Sequence, residues 1–130
     1  TYGSLAANCT GFTYFMGIPT YPAHWAAYKQ LNKEILALND IILSEEEVDP
    51  AIVSDVRLRH ITRKHNGYLY VIAVNIEEQA TDTTITLPAG FKYADEADVE
   101  FENRKIKVSG GVIKDSFQPL SRHVYKIKLK

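Results

Sequence analysis

The chain has 130 residues, of which 45% are hydrophobic and 24% are charged, and this balance is typical of a folded domain rather than of a disordered chain. A complete (β/α)8 barrel needs about 250 residues, so a whole barrel is excluded. The formal net charge is −1, which gives no indication of binding to nucleic acid or to an anionic membrane.

Cys9 is the single cysteine, so an internal disulfide and a thiolate metal cluster are excluded. No apolar run approaches the ~20 residues of a membrane span, and no secretory leader is visible at the N-terminus. Because the chain begins with Thr1 rather than Met, we expect a removed leader, a cloned domain or a proteolytic fragment.

The first 43 residues have the pattern of a parallel α/β unit. Ser4 to Cys9 is rich in alanine and predicts the end of a helix, and Gly11 to Gly17 (GFTYFMG) predicts a buried strand. A helix is predicted from residue 23 to residue 43, because large apolar residues recur there at intervals of three and four. These residues, the apolar stripe, are Trp25, Tyr28, Leu31, Ile35, Leu38 and Ile42. Periodicity favours a core position for Trp25 and Tyr28.

Residues 44–52 are acidic, poor in apolar side chains and contain Pro50, so they predict a linker. Beyond them the hydrophobic period changes from 3.6 to 2, which predicts an antiparallel β-sandwich over residues 53–130. The predicted strands are Val56 to His65, Tyr68 to Asn75, Thr83 to Leu87, Asp98 to Glu102, Lys105 to Val108, Val112 to Phe117 and Val124 to Leu129.

Two hairpins have a predicted register. Asn66-Gly67 is a strong two-residue turn that places His65 opposite Tyr68 and Ile61 opposite Ile72. Asn103-Arg104 is a weaker turn, and it would pair Glu102 with Lys105, Glu100 with Lys107, Phe101 with Ile106 and Val99 with Val108. The strand from Tyr68 to Val74 is apolar on both faces, so we expect one face in the sandwich core and the other under the helix.

Side chains with catalytic or metal-binding chemistry form no recognisable site in the sequence. The histidines (His24, His60, His65 and His123) lack metal-ligand spacing, and the acidic runs lack the pattern of a calcium loop. The serines have no nucleophile elbow, and no phosphate-binding glycine loop is present. We therefore expect no cofactor, no metal and no catalytic residue in this chain.

Aromatic residues gather in the first 28 residues, where they could fill a core or stack on sugar rings. At this point SLAANCTGFTYFMG followed by AHWAAYKQLNKEILALNDIIL resembles the last helix–strand–helix of the (β/α)8 barrel of bacterial glycoside hydrolases. The remaining residues resemble the C-terminal β-sandwich that often follows such barrels. The matching stretches are GYLYVIAVN (Gly67 to Asn75), TITLPAG (Thr84 to Gly90), VEFENRKIKV (Val99 to Val108) and FQPLSRHVYKIKL (Phe117 to Leu129).

The resemblance implies that the chain is the C-terminal fragment of a glycoside hydrolase, of bacterial origin and either cytoplasmic or secreted. The catalytic carboxylates of such barrels follow the fourth and seventh strands, which this chain lacks, so the sandwich would be a non-catalytic accessory. The eighth strand implies Tyr14, Phe15 and Tyr21 as sugar-binding residues. The expected partners are the barrel of the parent protein, a carbohydrate, and further copies of the chain through the apolar stripe, but no nucleic acid and no membrane.

Two alternatives remain open. The sandwich could be a carbohydrate-binding module, with Tyr68, Tyr70, Phe91 and Tyr93 as candidate aromatic residues. The chain could also be a structural or interaction domain without a link to sugars.

Overall fold

The structure is a computed structural model, and it describes residues 1–13 and 21–130. Within these residues, three helices precede eight strands. The helices are α1 (Tyr2–Ala6), α2 (Pro22–Ala37) and α3 (Asn39–Ile42). The strands are β1 (Ile52–Val53), β2 (Leu58–His65), β3 (Tyr68–Asn75), β4 (Thr81–Thr86), β5 (Tyr93–Val99), β6 (Arg104–Lys107), β7 (Val112–Phe117) and β8 (Arg122–Leu129).

The strands form two antiparallel sheets, one of three strands in the order β1-β4-β7 and one of five strands in the order β2-β3-β8-β5-β6. The main core contains buried side chains from both sheets. They include Leu69, Val71 and Ala73 of β3, Ile85 of β4, Ile113 and Phe117 of β7, and Tyr125 and Ile127 of β8. The prediction of a mainly β, antiparallel sandwich is therefore confirmed.

Strand β3 is buried on both faces, as its sequence predicts. Leu69, Val71 and Ala73 point into the sandwich, whereas the alternate side chains point to the outside of the five-stranded sheet. There they form a second core with the helices. Its buried members are Tyr2, Leu5, Leu38, Ile41, Ile42, Tyr70, Ile72, Val74 and Val124. The three helices form a layer, here called the helical layer, on this outer face.

The apolar stripe of the predicted helix is covered over its C-terminal half. Leu38 and Ile42 are buried, and Leu31 and Ile35 pack against the second core, although the helix is interrupted at Leu38 between α2 and α3. By contrast, residues 21–30 are all exposed.

The prediction that Trp25 and Tyr28 are core residues is wrong for this chain, since 44% and 37% of their surface is accessible. Of the strand predicted from Gly11 to Gly17, residues 11–13 have no strand structure and residues 14–17 lie outside the described residues. No helix in the described part of the chain has the length and apolar character that a membrane crossing requires.

The hairpin at Asn66-Gly67 has the predicted register. His65 is paired with Tyr68 and Ile61 with Ile72, and both turn residues have positive φ, 48° at Asn66 and 77° at Gly67. Asn and Gly tolerate this conformation, which is why the sequence signal is reliable at this turn.

The register predicted for the second hairpin is wrong. The structure pairs Val99 with Arg104, Ala97 with Ile106 and Glu96 with Lys107, so residues 100–103 form a four-residue loop and Glu102 lies in no strand. Packing in the main core determines the observed register, because Ala97 and Val99 are buried there opposite Ile127 and Tyr125 of β8. Strand β5 therefore begins at Tyr93 and ends at Val99.

Residues 44–51 lie along the edge strand β2. The hydroxyl of Ser44 donates a hydrogen bond to the carbonyl oxygen of Lys64 at 2.6 Å, and the backbone N–H of Ala51 donates to Oγ1 of Thr62 at 2.8 Å. Between them, Glu46 accepts a hydrogen bond from the backbone N–H of Asn66 at 2.9 Å. The segment predicted as a linker is thus held against the sandwich and covers the edge of β2.

Candidate functional site

The structure describes one of the three predicted sugar-binding residues. Tyr14 and Phe15 lie outside the described residues. Tyr21 is the residue preceding α2, its side chain is 66% exposed, and its ring meets the ring of His24 edge-on at 5.4 Å. The sugar-binding role of Tyr14, Phe15 and Tyr21 therefore stays a prediction.

The most highly organised polar group in the described residues joins the helical layer to the sheet. Glu34, on α2, retains only 5% of its accessible surface. Its carboxylate accepts hydrogen bonds from the hydroxyl of Tyr2 at 2.7 Å, from Nε2 of Gln30 at 3.0 Å and from Nη2 of Arg122 at 2.7 Å. Arg122 lies on β8, so this contact links α1, α2 and the five-stranded sheet.

Arg122 also contacts the loop between β5 and β6. Its Nη1 atom lies 3.6 Å from Oε1 of Glu102. The guanidinium carbon lies 5.1 Å from the ring centre of Tyr2 and 5.9 Å from that of Phe101. Two carboxylates and two aromatic rings therefore surround this one side chain, an arrangement that favours the delocalised cation of arginine over lysine.

The polar group extends from Glu102 to the three-stranded sheet. Glu102 contacts Nε of Arg104 at 2.8 Å and Nδ1 of His123 at 2.5 Å. Arg104 in turn donates from Nη2 to Asp115 of β7 at 2.7 Å, and the hydroxyl of Tyr125 donates to the same carboxylate at 2.8 Å. We call the connected side chains of Tyr2, Glu34, Glu102, Arg104, Asp115, Arg122, His123 and Tyr125 the polar network.

Two carboxylates of the polar network, those of Glu34 and Asp115, are held in the ionised form. Burial by itself would raise the pKa of Glu34, but hydrogen bonds from Gln30, Tyr2 and Arg122 outweigh it, so the pKa is lower than usual. The pKa of Asp115 is lowered in the same way, against burial, by Arg104 and Tyr125. A general acid needs a carboxyl group that keeps its proton near neutral pH, so neither residue suits that role.

The tyrosines of the network are held in the neutral form. Burial and the neighbouring Glu34 raise the pKa of Tyr2, and burial together with Asp115 raises the pKa of Tyr125. Both hydroxyls act as hydrogen-bond donors to a carboxylate. In the part of the chain that the structure describes, no group of three or more His, Cys, Asp or Glu side chains could hold a metal ion. The contacts of the network join the helical layer to the five-stranded sheet and the five-stranded sheet to the three-stranded sheet.

The position of Glu34 in the sequence indicates that its side chain lies on the packed side of the helix. Glu34 follows Leu31 by three residues and precedes Leu38 by four, so it shares their side of the helix. A glutamate at such a position must be buried with a partner or turned to solvent. Its partner Arg122 is 88 residues away along the chain, and no local pattern identifies it.

The four aromatic candidates of the binding-module prediction are largely occupied by packing. Tyr70 is buried, and Tyr68 packs on the second core with the ammonium group of Lys126 4.8 Å from its ring centre. Tyr93 packs against the main core, and its hydroxyl donates to the carbonyl oxygen of Pro88. Phe91 is half-buried beside Tyr93, with the two ring centres 6.3 Å apart. Three of these four side chains thus pack in or against the two cores.

Comparison of the sequence with models of protein families and with curated proteins found no match.

Proposed function

We propose that this chain is the C-terminal part of a glycoside hydrolase, in which a non-catalytic β-sandwich packs on the catalytic barrel and stabilises it. In this proposal, residues 1–43 supply the end of the barrel and residues 53–130 the sandwich. The observation that carries the proposal is the attachment of α2 to the five-stranded sheet through Glu34 and Arg122.

The burial of α2 supports this assignment, because the two halves of the helix differ in their exposure to solvent. Its C-terminal half packs on the sandwich, whereas residues 21–30 remain exposed and include Trp25 and Tyr28. In the proposal, Trp25 and Tyr28 lie on the surface that the rest of the barrel covers. A helix that closes a barrel while supporting a sandwich would need both kinds of surface.

The ionised state of Glu34 and Asp115 supports a non-catalytic role. The hydrolysis of a glycosidic bond needs two carboxyl groups that flank a cleft, one of which acts as a proton donor. Glu34 and Asp115 are instead each engaged by an arginine and a tyrosine, Glu34 on α2 of the helical layer and Asp115 on β7 of the three-stranded sheet. Their role in the proposal is to hold the helical layer and the two sheets together.

The sequence encoded upstream of Thr1 gives the most direct test. We expect seven further strand–helix units there, with carboxylates after the fourth and seventh strands. An upstream region of a different fold would contradict the proposal.

A second experiment tests the non-catalytic role. The purified 130-residue chain, assayed with a panel of aryl glycosides, should show no turnover above the buffer rate. Hydrolysis that copurifies with the chain and disappears in a Glu34→Gln or Asp115→Asn variant would show that the network is catalytic and would refute this part of the proposal.

A further inference from the structure

The loop between β5 and β6, residues 100–103, holds an aromatic residue in an unfavourable backbone conformation. The φ angle is 67° at Phe101 and 54° at Asn103. Asparagine tolerates this left-handed region, but a bulky residue such as phenylalanine is rarely found there. Such strain persists only where the surrounding contacts enforce it, and it is concentrated at functional sites.

The contacts that enforce this conformation are supplied by the polar network. Glu102, the residue after Phe101, is fixed by Arg104 at 2.8 Å and by His123 at 2.5 Å. Arg122 lies 5.9 Å from the centre of the Phe101 ring. Despite these contacts, 38% of the Phe101 surface is exposed. The network therefore fixes an aromatic side chain at the surface instead of in a core.

Phe101 forms part of a groove of about 470 Å³, a size that accommodates a small ligand. The other lining side chains are polar or charged, apart from Val99. They are Asp98, Glu100, Asn103, Arg104 and Lys105. The charges are balanced by ion pairs, since Asp98 lies 3.3 Å from Lys105, and Glu100 lies 3.6 Å from Lys126.

We propose that this groove binds a neutral saccharide, with the ring of Phe101 as the surface on which a sugar ring stacks. The C–H face of a sugar is apolar and packs on an aromatic ring, while its hydroxyl groups need both donors and acceptors. The amide of Asn103 supplies both, and the carboxylate of Glu100 supplies acceptors. Balanced charges on the walls favour an uncharged ligand over a phosphate or a uronate.

The saccharide site does not depend on the proposed parent enzyme, because it concerns the sandwich alone. A sandwich that binds sugar could follow a catalytic barrel or another domain. The upstream sequence therefore tests the proposed function, whereas the binding experiment tests the groove. A negative result in either experiment does not contradict the other proposal.

Isothermal titration of the full 130-residue chain with cellohexaose, xylohexaose, mannohexaose and maltohexaose tests the groove. We expect at least one of them to bind. Phe101→Ala should weaken that binding about tenfold or more, and Phe101→Leu, which keeps an apolar side chain of similar volume without an aromatic face, should weaken it comparably. Phe101→Tyr should retain the affinity within about threefold, because it keeps the ring.

Phe91→Ala is the matched control, since Phe91 is a half-buried aromatic residue outside this groove. It should bind the oligosaccharide as the unchanged chain does, and circular dichroism should show that all four variants are folded. The proposal is overturned if none of the four oligosaccharides binds, or if binding survives in both Phe101→Ala and Phe101→Leu. An equal loss in Phe91→Ala would also overturn it, because the ligand would then occupy another site.

Discussion

Replacement of Arg122 by methionine should destabilise the fold by removing the main cationic partner of a buried carboxylate. The side chain of Glu34 is 6% exposed, and in the variant it would keep only the hydrogen bonds from Tyr2 and Gln30. Removing one partner of a fully buried ion pair typically costs about 3–5 kcal/mol. The side chain of Arg122 is 24% exposed, so we expect a smaller loss of about 2–4 kcal/mol in the free energy of unfolding.

Urea denaturation followed by two signals would measure this loss. Trp25 is the single tryptophan and lies on α2, so its fluorescence reports on the helical layer. Far-UV circular dichroism reports on the whole chain. In Arg122→Met the fluorescence transition should move to a lower urea concentration. Lys130→Met is the matched control, because Lys130 and Asp95 form a well-exposed pair at 3.2 Å and its loss should leave the midpoint unchanged.

A double-mutant cycle isolates the contact between Glu34 and Arg122. With Glu34→Gln as the second substitution, the coupling energy should be about 1–3 kcal/mol. A coupling energy close to zero would refute the reasoning, since it would mean that Arg122 stabilises the fold through Glu102 and the rings of Tyr2 and Phe101 and not through the carboxylate of Glu34.

Other predictions concern pH, backbone conformation and packing. The folded-state pKa of Glu34 is lower than its usual 4.5, so its stabilising contribution is complete above that pH and is lost as the pH falls through the folded-state pKa. Urea midpoints measured from about pH 7 to about pH 3 should therefore fall less in Glu34→Gln than in the unchanged chain. Gly67→Ala should lower the free energy of unfolding by about 1–2 kcal/mol, because φ is 77° at this position. Gly3→Ala in α1 should leave the melting temperature unchanged or raise it. Phe117→Ala should cost about 3–5 kcal/mol in urea denaturation because Phe117 is fully buried, and Val56→Ala, at an exposed residue, should have little effect.

The parts of the fold that the sequence predicts correctly are those determined by neighbouring residues. The turn at Asn66-Gly67 needs positive φ at two positions, and few residue pairs other than Asn-Gly permit it. The double burial of β3 is predicted because its apolar residues do not alternate with polar ones. Both features depend on side chains within eight residues of one another.

The register of the second hairpin could not be decided in this way. Acidic residues alternate along positions 96, 98, 100 and 102, so a shift of four residues still places an acid opposite each lysine. In the structure Lys105 faces Asp98 and Lys107 faces Glu96, whereas the predicted register paired the same lysines with Glu102 and Glu100. Cross-strand charge pairing favours both registers equally. The burial of Ala97 against β8 distinguishes them, and this contact is remote in sequence.

The polar network was missed for the same reason, and its position bears on how the sandwich would be attached to a barrel. Arg122 reaches Glu34 across the outer face of the sheet, where Ile72 and Val74 of β3 also pack against the helical layer. Removing that layer would expose apolar side chains on β3 and leave Arg122 without its main carboxylate. The helical layer and the sandwich therefore bury apolar side chains and an ion pair between them. If the layer is the end of a barrel, the attachment is a packed interface, and residues 44–51 contribute to it by covering β2.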